Sequence, residues 1–135
     1  MTVGDIMTRN IATVHEEDNL ELLAKGMREV RIRHLPVVDD GKLVGLITQR
    51  DLFLAAASRF EPLAAARTSN IEQMTFVADL MTRDPMSVRP ETPVAEAARL
   101  MDSHKIGCLP VTEADGTLVG IVTEADMVRL VILLV

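Results

Sequence analysis

The hydrophobic and polar positions of this chain follow a recurring order of strand-like and helical segments. Residues 12–14 predict a short first strand, and apolar residues at helical spacing over 20–30 predict a helix. Two runs of Val, Ile and Leu at 35–38 and 43–47 flank an Asp-Gly pair, which predicts a β-hairpin. Because these runs do not alternate with polar residues, we expect strands buried on both faces. A last helix is predicted over 48–57.

The whole order occurs twice, at an offset of 74 residues that becomes 75 after the Asp-Gly turn. Three motifs occur in both copies. They are a lead-in segment, Leu-Pro-Val, and a nine-residue motif that begins with Leu-Val-Gly and ends with Thr-x-x-Asp. Their positions are 3–9 and 77–83, 35–37 and 109–111, and 43–51 and 118–126. Such a repeat fixes the architecture before any other feature.

The repeat divides the chain into a first copy at 1–57, a linker at 58–76 and a second copy at 77–135. A copy of this size is marginal for independent folding, so we expect the two to share a core about a pseudo-two-fold axis. The linker favours helix, interrupted near Pro62. The short first strand returns in the second copy at 86–88.

The helix boundaries carry recognisable signals. Asp18, followed three residues later by Glu21, has capping-box spacing. In the second copy we expect Thr92 at the N-cap and Pro93 at the first helical position. That helix is predicted to end near Lys105.

Composition narrows the range of functions. The 135 residues carry a net charge of −6 and lack Trp and Tyr, which argues against a nucleic-acid partner. Cys108 is the only cysteine, so no internal disulfide can form and a reducing compartment is expected. No signal-peptide pattern begins the chain, and the apolar end at 130–135 is too short to span a bilayer. These observations predict a cytoplasmic protein without a membrane partner.

Two Thr-x-x-Asp motifs, Thr48 with Asp51 and Thr123 with Asp126, are the most informative chemical features. At a strand-to-helix step they are typical of capping boxes. The same helix N-terminus also suits a phosphate, and the carboxylate can accept hydrogen bonds from a vicinal diol. The two interpretations are compatible, and both remain open.

Taken together, these motifs resemble a tandem pair of CBS (cystathionine β-synthase) domains, a Bateman module, of the stand-alone prokaryotic type. The resemblance covers residues 3–57 and 77–130. It implies an α+β fold of two βαββα repeats that pack through their sheets. It also implies clefts between the repeats for adenosine-containing ligands such as AMP, ADP, ATP, S-adenosylmethionine or NAD(H), with no required cofactor and no metal. The family tends to form homodimers, for which the apolar residues 53–54 and 128–135 are candidate surfaces.

The resemblance also assigns candidate ligand-binding residues. Asp51 and Asp126 would accept from ribose hydroxyls, and Thr48 and Thr123 would contact ribose or phosphate. The remaining positions are those implied for the adenine slot, the phosphate end and the Leu-Pro-Val motifs: Asn10, Ile11, Ala12, Asp84, Pro85 and Met86; Arg33, His34, Gly107 and Cys108; Pro36 and Pro110.

The two copies differ at the phosphate end. The first offers Arg33 and His34, whereas the second offers Gly107 and Cys108, with only Lys105 nearby. We therefore predict one better and one poorer nucleotide site. Arg9 and Arg83, which come directly after the lead-in motifs, would reach a phosphate or face solvent.

Catalytic and metal-binding patterns are weak. His104 and Cys108 stand four residues apart, but the predicted helix end separates them and no third ligand is evident. We expect Cys108 to be half-buried beside the cleft. No catalytic set is recognisable. The sequence thus favours a regulatory ligand-sensing module acting on a partner protein or through its own dimer; the alternative is an interaction module without a ligand.

Overall fold

The computed structural model of this chain describes residues 1–30, 32–57 and 75–135. The predicted helix break near Pro62 lies outside these residues. Helices and strands mix along the chain, which confirms the predicted α+β class. In chain order the elements are α1 (Val3–Ile6), α2 (Leu20–Val30), β1 (His34–Asp39), β2 (Lys42–Thr48), α3 (Gln49–Ala57), α4 (Val77–Leu80), β3 (Thr82–Arg83), α5 (Val94–His104), β4 (Cys108–Thr112), β5 (Leu118–Thr123) and α6 (Glu124–Leu134).

Both predicted hairpins form. Strands β1 and β2 are joined by β3 in a three-stranded sheet, and β4 pairs with β5 in a two-stranded one. Every residue of β4 is buried, as are the four residues 35–38 inside β1. Burial on both faces is therefore confirmed for these two strands, while β2 keeps several half-exposed positions.

The short first strands are reduced to single bridges. Val14 pairs in parallel with Val37, and Val88 pairs with Val111. The pairing stops because the chain turns at once: hydrogen bonds close turns at 15–18 and 89–92. A one-residue ladder is all that remains of each predicted strand.

These turns also correct the predicted caps. The side chain of Asp18 accepts the N–H of His15 at 2.8 Å, and the hydroxyl of Thr92 accepts the N–H of Arg89 at 3.0 Å. Both side chains therefore close the turn before the helix. Pro93 is the N-cap of α5 instead of its first helical residue. The predicted end is confirmed, because Lys105 has a left-handed conformation (φ 54°) immediately after α5.

The chain forms two compact units, and each contains segments of both copies. The first-copy unit comprises residues 12–40 and 44–84, which include the body of the first copy and the lead-in of the second. The second-copy unit comprises residues 1–11, 41–43 and 85–135, with the lead-in of the first copy. The lead-ins are thus exchanged between the copies.

In the second-copy unit, backbone hydrogen bonds hold the exchanged lead-in. The N–H of Val3 donates to the carbonyl of Thr92 at 2.8 Å, and Thr8 exchanges two hydrogen bonds with Ile121 at 2.9 and 3.0 Å. The first-copy unit repeats the pattern, since the N–H of Val77 donates to the carbonyl of Asp18 at 2.8 Å. These bonds satisfy backbone groups that burial would otherwise leave unpaired.

Each unit contains one hydrophobic cluster of described residues. Fully buried Val3 belongs to one cluster and fully buried Val77 to the other, each packed among residues of the opposite copy. Burial of a valine side chain contributes roughly 1.5–3 kcal/mol. The expected sharing of a core thus takes the form of exchanged apolar lead-ins. The clusters are Val3, Met7, Val88, Ala97, Met101, Leu109, Val111 and Val122, and Leu20, Leu23, Met27, Leu35, Val37, Ile47, Val77 and Met81.

The apolar end of the chain forms the last part of α6. Ile132, Leu133 and Leu134 on it remain exposed. Among the helices in the three described ranges, none combines the length and apolar character needed to cross a membrane.

The close approach of the lead-in to β5 depends on a glycine. A Cβ atom at Gly120 would lie 2.9 Å from the carbonyl oxygen of Thr8 and 2.7 Å from the sulfur of Met7. Gly120→Ala should therefore destabilise the protein by about 1–3 kcal/mol, because a backbone segment must move. Urea unfolding followed by circular dichroism measures this loss.

Gly26→Ala is the matched control. Gly26 lies inside α2, and an added Cβ there meets nothing within 4 Å. The control should gain about 0.5–1 kcal/mol from helix propensity. Wild-type stability in Gly120→Ala would show that the lead-in does not pack against β5 as described.

Candidate functional site

The last helix of each copy begins with the same side-chain geometry. The N–H of Thr48 donates to Oδ2 of Asp51 at 2.8 Å, and the N–H of Asp51 donates back to the Thr48 hydroxyl at 3.1 Å. At Thr123 and Asp126 the corresponding distances are 2.8 and 3.4 Å. Both pairs are capping boxes, so the structural interpretation of the motifs is confirmed. These boxes hold each carboxylate at a helix N-terminus, where the helix dipole favours negative charge.

The two carboxylates have different surroundings. Asp126 is buried, with 5% of its surface exposed, and its Oδ1 accepts a hydrogen bond from Arg129. Asp51 is half-buried. The N–H and the hydroxyl of Thr48 both donate to Oδ2 of Asp51. No donor among the described residues contacts its Oδ1. Among the described residues, the first copy therefore leaves one carboxylate oxygen without a donor, whereas both oxygens of Asp126 have one. Arg129 did not emerge from the sequence motifs, although its spacing of three residues from Asp126 on a helix signals such a pair.

The residues that precede each hairpin lie beside these helix ends. The carbonyl of Arg33 accepts the N–H of Gln49 at 2.8 Å, and the carbonyl of Gly107 accepts the N–H of Glu124 at 3.0 Å. Cys108 stands opposite Thr123 in the β4–β5 register. The structure thus brings the predicted phosphate-end positions next to the Thr-x-x-Asp motifs in both units.

Two residues after each segment predicted to line the adenine slot, a backbone hydrogen bond connects the chain to a Leu-Pro-Val proline. The carbonyl of Pro36 accepts the N–H of Val14, and the carbonyl of Pro110 accepts the N–H of Val88, both at 3.0 Å. The two prolines are buried. The unit boundary cuts through both segments, after Ile11 and after Asp84, so each segment has residues in both units. Asn10, Ala12, Asp84 and Met86 are exposed, and Ile11 and Pro85 are half-buried.

The predicted ligand-binding residues therefore divide between the two units, although not strictly by copy. Those in the first-copy unit are Ala12, Arg33, His34, Pro36, Thr48, Asp51 and Asp84. Those in the second-copy unit are Asn10, Ile11, Pro85, Met86, Gly107, Cys108, Pro110, Thr123 and Asp126. Arg33 is exposed, His34 is half-buried and Cys108 is buried.

An apolar cavity of about 190 Å³ lies in the first-copy unit. Its wall includes Ala12 of the predicted adenine segment and reaches Gly26 and Met27 of α2. This volume has room for a ring system, since one water occupies about 30 Å³ of the liquid. The sequence motifs did not indicate this cavity, although two small residues in its lining, Ala12 and Gly26, are a signal for it. The other lining residues are Thr13, Val14, Asp18, Leu23, Ile32 and Leu35.

The two arginines that come directly after the lead-ins have local partners. Arg9 donates to the carbonyl of Gly4 at 3.2 Å, and Arg83 forms an ion pair with Glu16 at 3.5 Å. Both arginine side chains are exposed. This placement favours the solvent-facing interpretation.

Cys108 corrects one prediction. It is buried, with 4% exposed, whereas the sequence led us to expect a half-buried thiol. The reason is that all five positions of β4 are covered, including its first. Burial raises the pKa of the Cys108 thiol to about 12. His104 lies before the left-handed Lys105, and no group of three metal-ligating side chains occurs within the described parts of the chain.

Comparison with known proteins identifies the family of this chain. The family model of the CBS domain matches residues 3–58 and 77–133. The chain belongs to the CBS domain family. It is 36% identical to a CBS domain-containing protein of Dictyostelium discoideum over 96% of this chain and 90% of that protein. It is also 36% identical to homoserine O-acetyltransferase of Methanococcoides burtonii, but spans only 24% of that protein's length.

Solved structures of CBS pairs share the fold. The AMP complex of CBSX2 superimposes with a TM-score of 0.84 at 32% identity, covering 98% of this chain and 97% of that one. The CBS pair of protein MJ0100, in complex with 5′-methylthioadenosine and S-adenosyl-L-methionine, gives 0.77 at 30% identity, covering 97% of this chain and 95% of that one. The predicted resemblance to a tandem CBS pair is thereby confirmed.

The raised pKa of Cys108 predicts a pH dependence of this CBS pair. The folded thiol has a pKa of about 12, against 9.0 ordinarily. Well below pH 9.0 the thiol stays protonated in both states, so this contribution to stability is constant. As pH rises through 9.0 toward 12, the unfolded thiol ionises first and the contribution is lost.

The difference in unfolding free energy between wild type and Cys108→Ala isolates this effect. It should be constant from pH 7 to 8 and should shift against wild type above pH 9.0. A difference independent of pH throughout this range would contradict the burial of an un-ionised thiol.

Proposed function

We propose that this CBS pair is a regulatory module that senses adenosine-containing ligands: AMP, ADP, ATP, S-adenosylmethionine or NAD(H). Its output passes through a partner protein or through its own dimer. The molecule acts as a binding module and not as an enzyme. Two solved pairs with the same fold hold AMP in one case, and 5′-methylthioadenosine with S-adenosyl-L-methionine in the other.

The observation that carries the proposal is the arrangement in the first-copy unit. One short stretch of structure contains Oδ1 of Asp51, which no described donor contacts, together with the N-terminus of α3 and the exposed Arg33. A vicinal diol would donate to Asp51, since hydrogen bonds to an ionised acceptor are the stronger ones. A phosphate would benefit from the helix N-terminus and from the positive charge of Arg33.

The apolar cavity beside Ala12 supports a place for the base. Its lining of Met27, Leu35 and Ile32 presents hydrophobic surface, and methionine adapts to flat ligands. An apolar wall close to a few polar groups is the usual composition of a small-molecule site. The ranking of the two proposed sites rests on Asp51 and Arg33, which make the first-copy site the better one.

The second candidate function is an interaction module without a ligand. Complete capping boxes account for Thr48–Asp51 and Thr123–Asp126 on their own. Large apolar side chains such as Phe53, Ile132 and Leu133 are 69–82% exposed, which suits a contact surface. A dimer through these residues would be compatible with either function.

A ligand panel separates the two functions. AMP, ADP, ATP, S-adenosylmethionine and NADH, each added at a hundredfold excess over its dissociation constant, should stabilise a binding protein by about 3 kcal/mol. Thermal unfolding with and without each ligand measures this. If no member of the panel raises the unfolding temperature up to millimolar concentration, the interaction module is the better account.

Asp51→Ala tests the proposed ribose contact. Loss of a hydrogen bond to a charged acceptor should weaken binding about tenfold to a hundredfold. Calorimetry with the ligand selected by the panel gives the dissociation constant. The same variant should lose about 1 kcal/mol of stability because its helix cap is lost.

Asp79→Ala is the matched control for that capping loss. Asp79 lies in the same unit and accepts the N–H of Phe76 at 3.0 Å, but it has no proposed ligand role. Its ligand affinity should equal that of wild type. If Asp51→Ala and Asp79→Ala bind the ligand with equal affinity, Asp51 is a helix cap and not a ligand contact.

A further inference from the structure

The helices that begin at the two Thr-x-x-Asp motifs carry different residues one turn after the Asp. Three residues after Asp126 stands Arg129, and the equivalent position after Asp51 is Leu54. The Arg129 guanidinium donates to Oδ1 of Asp126, while Oδ2 accepts the N–H of Thr123 at 2.8 Å. Leu54 is 56% exposed and has no group to donate.

Both oxygens of Asp126 are therefore in use. With only 5% of its surface exposed, Asp126 has little access for a further donor. A ribose diol could reach Oδ1 only after Arg129 released it. That exchange replaces one charge-assisted hydrogen bond by others, so its gain is small. Asp51 accepts a diol without such an exchange.

Resting on the proposed function, we infer that Arg129 determines the affinity of the second-copy site by occupying the carboxylate that a ribose would bind. Arg129 is a positioning residue in this scheme, since it acts through Asp126. The weakness of the second site then arises at the ribose end, in addition to the missing basic residue at Gly107 and Cys108. Leu54 leaves the first-copy site open.

Two double variants isolate the second-copy site in a background where Asp51→Ala has removed the ribose contact of the first. Arg129→Leu introduces the residue found at position 54, and Arg129→Gln keeps a polar side chain in case leucine promotes aggregation. Each should tighten binding of AMP about tenfold relative to Asp51→Ala alone. This is the low end for a hydrogen bond to a charged group, because 64% of the Arg129 side chain is exposed and screened.

The reciprocal change tests the first-copy site. In an Asp126→Ala background, Leu54→Arg places a guanidinium three residues after Asp51 and should weaken AMP binding about tenfold. Leu54→Gln, which brings no charge, is its control and should bind as the Asp126→Ala protein does.

Adenosine distinguishes this role from direct phosphate binding. If Arg129 acts through Asp126, removal of the Arg129 side chain should increase the affinity for adenosine and the affinity for AMP by the same factor. Weaker binding of AMP with unchanged binding of adenosine in the Arg129 variants would show that Arg129 contacts the phosphate, and would overturn the inference.

The remaining outcomes also decide. Unchanged or absent second-site binding in both Arg129 variants, while wild type binds AMP, overturns the inference and leaves the proposed function intact. A wild type that binds no member of the ligand panel overturns the proposed function, and the inference fails with it.

Discussion

The hydrogen bonds of the Thr-x-x-Asp box at the start of α3 and α6 are the constraint on which this fold and its proposed site depend. They end a strand, begin a helix and fix a carboxylate at the same point. Because the cap requires the Asp side chain, its carboxylate cannot be moved without loss of helix stability. The proposed ligand site would therefore use a group that the fold has already positioned.

Exchange of the lead-ins connects the two copies. Val3 and Val77 are each fully buried in a cluster that belongs mainly to the other copy. Neither body can complete its hydrophobic cluster from its own copy alone. This dependence gives a physical reason for the lead-in motif to repeat as closely as the hairpin motif.

Much of the architecture could be predicted because local signals determine it. The Asp-Gly and Gly-containing turns identify the hairpins, and the Thr-x-x-Asp spacing identifies the starts of α3 and α6. The exchange could not be predicted, because Val3 and Val77 occupy equivalent places in near-identical motifs, so the sequence does not distinguish which body each one contacts. The helix caps predicted at Asp18 and Thr92 were wrong for a related reason, because the side chains of Asp and Thr suit a turn as well as a helix cap.

The site was predictable only in outline. The motifs identified Asp51 and Asp126, and those ligand roles stay predictions. The contrast between them depends on the contact of Arg129 with Asp126, and Arg129 lies outside the repeated motif, so comparison of the two copies does not identify it. The cavity beside Ala12 likewise results from packing between α2 and β1, which no single segment encodes.

Native mass spectrometry of the protein as purified from cells tests directly whether this CBS pair binds adenosine-containing ligands at unequal sites. Mass analysis of the released small molecule then identifies it. We expect a bound molecule with an adenosine moiety, and a one-ligand species that fills before any two-ligand species as more of the ligand is added. A released molecule without adenosine, a bare chain that takes up no adenosine-containing ligand, or two ligands that fill together would contradict this expectation.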